Sequence, residues 1–162
     1  MEERLTHRGQ KNSLFTHDGI HDSQTHLSAP SYFYELLKQE IATSRRTGVT
    51  FSLIRLTFNK INQSASGVDS KIESVDVLKF SEALKDLTRK QDCVARLGIN
   101  ECVILVKESK SNVENLLTRL ATSKELTVEN TLQISATTVE FEDGEKALAL
   151  LNRLDLVLPH SE

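Results

Sequence analysis

The chain has 162 residues, 38% of them hydrophobic and 27% charged, with a formal net charge of -3. That is the size of one domain able to bury its own core without staples. A balance this near neutral gives no electrostatic case for DNA or RNA as partner, and no apolar run approaches the roughly 18 to 20 residues that span a bilayer. Cys93 and Cys102 are too few for a disulfide scaffold or a four-cysteine zinc site. The polar start, MEERLTHRGQKNS, has no apolar signal core, so the expectation is a cytoplasmic protein with reduced thiols.

Residues 1 to about 28 are polar and aperiodic and read as a mobile arm that orders near its end. His17 and His21 have the i, i+4 spacing that holds zinc on a helix, with Asp18 and Asp22 nearby. No third protein ligand is evident, and a solvated arm is the favoured reading. Phe33, Leu36, Leu37 and Ile41 then follow helical spacing, with Ser31 as cap after Pro30 and Gly48 as terminator, which predicts a helix near 31–46. Val49 to Phe58 is rich in branched and aromatic residues and predicts a strand, with Phe51, Leu53, Arg55 and Thr57 on one face. A polar loop leads to a second helix near 72–89. Two short apolar runs flank Gly98-Ile99-Asn100-Glu101, as in a β-hairpin over 93–106. A helix near 111–122, a strand near 131–140 and a helix near 145–154 complete the order α-β-α-β-β-α-β-α. This is an α/β (α+β) sandwich whose central sheet is expected to be mixed. The two cysteines read as small core residues rather than redox partners.

The pattern resembles the GGDEF domain of bacterial diguanylate cyclases. The family opens with D-x-L-T-G-L-x-N-R-R-x-F, and here Asp22, Thr25, Leu27 and Phe33 keep that spacing. Around the hairpin, D-x-x-A-R-x-G-G-D-E-F is matched by Asp92-Cys93-Val94-Ala95-Arg96-Leu97-Gly98-Ile99-Asn100-Glu101-Cys102. Glu142-Asp143-Gly144 resembles the turn after the family's last strand, and Leu150-Leu151-Asn152-Arg153-Leu154-Asp155 its L-L-x-x-A-D. The resemblance implies a degenerate GGDEF-like domain over 22–160 behind an arm of residues 1–21, in a cytoplasmic signalling protein.

The resemblance also places the cyclase site, and there the residues differ. A diguanylate cyclase joins two GTP molecules and needs carboxylates to hold Mg²⁺ against triphosphates. The positions of the strand-one metal carboxylates fall on Thr57 and Asn59, and the guanine-reading positions on Ala65 and Ser74. The GGDE stretch is Gly98, Ile99, Asn100 and Glu101, leaving Glu101 as the one acid, with a branched side chain at Ile99 where the backbone must approach the nucleotide. Asp69 and Asp76 are the acids near enough to compensate. The expectation is no enzyme, no metal and no cofactor.

A second site is kept. Family members carry R-x-x-D five residues before GGDEF, where the product cyclic di-GMP binds. Arg89-Lys90-Gln91-Asp92 has that spacing, and Arg119 on the following helix resembles a second family arginine. A guanidinium forks onto guanine or phosphate, and a carboxylate accepts from guanine N–H groups. The residues also admit a plainer reading: cations ending a helix and an aspartate starting a turn. Arg96 reads as a strand residue on the open face rather than a ligand. The function implied is a non-catalytic cyclic di-GMP receptor. The alternatives are a nucleotide-independent protein-interaction module, with a protein partner or a second copy of the chain, and, last, a residual cyclase.

Overall fold

The computed structural model describes residues 15–61 and 72–159. The arm before Phe15 and the loop residues Ala65 and Asp69 lie outside the described residues. The described residues form helix α1 (Pro30–Thr47), strand β1 (Ser52–Lys60), helix α2 (Ser74–Leu87), strands β2 (Cys93–Gly98) and β3 (Glu101–Val106), helix α3 (Lys110–Thr122), strand β4 (Leu132–Glu140) and helix α4 (Ala147–Leu156).

Helix α1 buries Phe33, Leu37 and Ile41 along one stripe, as their spacing requires. Its start differs from the expectation. Pro30 occupies the first turn, where its missing N–H is not needed. Ser31 does not cap the helix; its hydroxyl donates to the Gly19 carbonyl at 3.0 Å. The end is as expected: Gly48 is left-handed at φ 72 and donates its N–H to the Ser44 carbonyl, with Arg45 and Arg46 in the last turn.

The sheet order is β2-β3-β1-β4, and all three pairings are antiparallel. This corrects the expected mixed sheet. Strands β1 and β2 run the same way, joined across α2, but they are not neighbours. The hairpin return strand β3 fills the slot between them, as in a split β-α-β arrangement. Alternation along β1 then divides the interior in two. Phe51, Leu53, Val103 and Val139 pack against Phe33, Leu37 and Ile41 of α1 and Leu150 and Leu154 of α4. Ile54, Leu56, Phe58, Cys102 and Ile104 pack against α2 and α3 on the opposite face. There Phe58 and Phe80 stack with centroids 4.1 Å apart, a contact worth about 0.5–1.5 kcal/mol beyond its buried area.

The end of the segment before α1 packs onto the domain. Asp22, Thr25, Leu27 and Ala29 are buried, and Ser28 bridges to Ala95 of β2. His17 and His21 lie in a turn, not on a helix, so their spacing carries no shared face. The Asp18 carboxylate accepts the N–H groups of Ile20 and His21 at 2.9 and 2.7 Å, which holds its pKa below the usual value.

Candidate functional site

The β2–β3 hairpin is held by a buried charge. Arg96 and Asp22 are both 0% exposed. Arg96 Nη1 donates to both Asp22 carboxylate oxygens, at 3.3 and 3.1 Å, and to Gln24 Oε1 at 3.0 Å. Its Nε and Nη2 donate to the carbonyls of Gly98 and Ile99 at 3.0 and 2.9 Å. Asp22 Oδ2 also accepts from the Thr25 N–H and hydroxyl, and the Phe15 ring lies 5.2 Å from the guanidinium. The expectation that Arg96 sits on an open face is therefore wrong. The segment from Phe15 to Leu27 closes that face, and every polar end of the pair has a partner, as burial of charge demands. Cys102, opposite Arg96 in the register, is buried, which pushes its thiol up to about 12 and removes it from thiolate chemistry.

At the end of β1, Asn100 Nδ2 donates to Asn59 Oδ1 at 2.9 Å, and the Asn100 carbonyl accepts the Phe58 N–H. One hydrogen bond joins the two amides, a donor meeting an acceptor, where two carboxylates would repel unless a cation lay between them. Thr57 lies opposite Glu101 in the β1–β3 register. Glu101 is spoken for: its Oε1 lies 2.9 Å from Arg55 Nε, which raises the arginine's pKa through that hydrogen bond. Asp155 stands 3.8 Å from the same nitrogen. Ser74 opens α2, exposed, its carbonyl accepting from Gln24. Asp76 is buried in the first turn of α2, where its carboxylate accepts the Glu73 N–H at 3.4 Å and faces Lys60 at 3.9 Å. Among the described residues, no three His, Cys, Asp or Glu side chains converge as metal ligands.

Arg89, Asp92 and Arg119 do come together. They line one cleft of about 350 Å³ between the end of α2, the end of β3 and α3. Helix α2 stops at Leu87, so Arg89 stands in a turn just beyond it rather than at the helix end. That turn closes on itself: the Arg89 N–H donates to Asp92 Oδ2 and the Asp92 N–H to the Arg89 carbonyl, both at 3.0 Å. The Arg89 side chain is 60% exposed. Across the cleft, Asn112, Leu116 and Arg119 follow i, i+4, i+7 spacing and so share one face of α3. Two cations at the rim can take phosphate oxygens, and Asp92 Oδ1, without a partner among the described residues, can accept a base N–H. The sequence did not point to Glu108, which also lines this cleft. It stands two residues beyond Val106, the last residue of β3, and looks there like any solvated loop acid.

The family model for the diguanylate cyclase GGDEF domain matches residues 19–160. No curated protein matches the chain. Among solved structures, the diguanylate cyclase SiaD from Pseudomonas aeruginosa, in complex with its activator SiaC, is similar at a TM-score of 0.72 and 19% identity. That match covers 95% of this chain and 62% of SiaD, so the chain spans less than two thirds of that protein's length. The GGDEF domain of DgcB from Caulobacter crescentus, in complex with c-di-GMP, is similar at a TM-score of 0.72 and 17% identity, covering 86% of this chain and 88% of that one. A microbial GGDEF domain with bis-(3,5)-cyclic di-GMP gives a TM-score of 0.69 at 20% identity, over 84% of this chain and 85% of that one. At such identities the likeness speaks for the fold: an antiparallel four-stranded sheet with two helices on each face.

Proposed function

Because the chain belongs to the diguanylate cyclase GGDEF domain family, we propose that it is a non-catalytic member that receives cyclic di-GMP in the cleft of Arg89, Asp92 and Arg119. The observation that carries the reading is the convergence on one cleft of the Arg89–Asp92 turn and of Arg119, which comes from a separate helix beyond the hairpin. The ligand is a cyclic dinucleotide with two phosphodiester charges and two guanine edges. Arg89 and Arg119 offer planar donors to phosphate or to guanine O6 and N7, and Asp92 offers an acceptor to guanine N1–H and N2–H.

The non-catalytic half rests on the cyclase positions. The residues present do not fit a magnesium centre for GTP. Thr57, Asn59 and Asn100 are neutral, the two amides are paired with each other, and Glu101 is paired with Arg55. Mg²⁺ takes hard, charged oxygen ligands beside phosphate, and this set offers one carboxylate already neutralised by a guanidinium.

Calorimetric titration of the protein with cyclic di-GMP, beside an incubation with GTP and Mg²⁺ or Mn²⁺, tests both halves. Saturable binding of cyclic di-GMP with no product from GTP is expected. Product that disappears in Glu101→Gln overturns the non-catalytic reading. No heat at high micromolar ligand overturns the receptor reading in favour of an interaction module on the same fold.

A further inference from the structure

The cleft already contains an anion of its own. Glu108 Oε1 accepts from Arg89 Nη1 at 3.3 Å, and its Oε2 accepts from Asn112 Nδ2 at 3.0 Å. The backbone beneath is pinned as well: the Glu108 N–H donates to the Val106 carbonyl, and the Glu108 carbonyl accepts from Ser52 Oγ, both at 2.8 Å. A carboxylate with both oxygens engaged and a fixed backbone is a held group, not a sweeping surface side chain. It also balances the cleft. Arg89 and Arg119 contribute two positive charges, and Asp92 and Glu108 two negative ones, so the lining is formally neutral. A dianionic ligand meets no net attraction there, and a phosphate oxygen placed on Arg89 Nη1 displaces Glu108 or lies against its carboxylate.

We propose that Glu108 is a built-in competitor for the anion position on Arg89, and that it sets the affinity of the cleft for phosphodiester ligands. The proposal rests on the reading of this cleft as the cyclic di-GMP site and deepens it. An ion pair this exposed, 60% and 35% at its two side chains, contributes little to folding. Its removal therefore changes binding and not the fold. Each Glu108 oxygen already has a donor, whereas Asp92 Oδ1 has none among the described residues, so Asp92 is the readier acceptor for a base N–H.

Titrations with cyclic di-GMP of wild type, Glu108→Gln, Arg89→Ala and the double variant test this. Glu108→Gln is expected to tighten binding about three- to tenfold, as for removal of a like charge beside a partly exposed pair. The gain should shrink when salt is raised from about 0.1 to 0.5 M, because it is electrostatic. It should vanish in the Arg89→Ala background, because the competition acts through Arg89. No binding by wild type at high micromolar ligand defeats the site reading, and the competitor with it, whatever Glu108→Gln does. Unchanged or weaker binding by Glu108→Gln, with Arg89→Ala still weakening wild type, overturns the competitor and leaves the site reading standing. A gain that persists without Arg89 overturns it as well. Binding that ignores Arg89→Ala, or no binding by any of the proteins, defeats the site reading and the competitor with it.

Discussion

At the scale of the residue, the cost of charge out of water governs both regions around the hairpin. Arg96 and Asp22 are wholly buried, so each depends on the other. Removing one partner of such a pair costs about 3–5 kcal/mol, because the survivor is left charged without a counterpart. Arg96→Ala is therefore expected to lower the unfolding free energy, read from urea denaturation, by that amount, and Asp22→Ala by a similar one. The double variant should lose clearly less than the sum, since neither orphan remains. Additive losses would show that the two do not act as a pair. This reverses the outward placement of Arg96 that the sequence suggested. The run Cys93-Val94-Ala95-Arg96-Leu97 offers no polar alternation to mark a closed face, and the partner lies 74 residues away in a segment with no periodicity. Asn59 and Asn100 were legible as positions from the family register. Their pairing was not, because it depends on how β1 and the hairpin turn meet.

At the scale of the element, α4 is tied to the end of β4 by a short polar clasp. Arg153 donates through Nε and Nη2 to the two oxygens of Glu145, at 3.0 and 2.7 Å, and through Nη2 also to the Glu140 carbonyl. Glu145 Oε1 accepts the Glu142 N–H at 2.9 Å, which closes the turn through the left-handed Gly144. The clasp explains why α4 starts at Ala147 rather than at Glu145, as helical spacing alone suggested: Glu145 is committed to the turn. The Arg153 hydrogen bond, foremost among the causes, lowers the Glu145 pKa below its ordinary 4.5. A lowered carboxylate stabilises the fold fully above its unfolded value, and that contribution is lost as pH falls through the folded value. Glu145→Gln should thus melt earlier than wild type at pH 7, and the gap between the two melting curves should narrow as pH falls below the ordinary 4.5. A gap that stays constant down to pH 3 would show that the charge is not what the clasp uses.

At the scale of the molecule, one sheet separates two apolar interiors and leaves the polar chemistry to its ends and loops. The existence and order of the elements were legible because periods of 3.6 and 2 report which faces must be buried. Leu37 and Ile41 on α1 and Leu116 and Leu120 on α3 carry that signal plainly. The neighbour order of the strands was not legible. The local pattern of β1 and β2 is the same whether they touch or admit β3 between them, and the choice is made by long-range pairing such as Ile54 with Ile104. The candidate site divides in the same way. Arg89, Asp92 and Arg119 follow from motif spacing, whereas Glu108, and with it the neutral balance of the cleft, appears only when α2, β3 and α3 are packed together.

The central claim is that this cleft binds cyclic di-GMP through Arg89. Loss of a charge-assisted partner costs about 1.5–3 kcal/mol, or roughly ten- to hundredfold in affinity. An arginine side chain 60% exposed can be removed with little effect on folding. The most direct measurement is therefore the dissociation constant for cyclic di-GMP of Arg89→Ala against wild type, each shown by circular dichroism to be folded. The account predicts measurable binding by wild type and a loss of at least about tenfold in the variant. Equal affinities in two folded proteins, or no binding by wild type at high micromolar ligand, would contradict it.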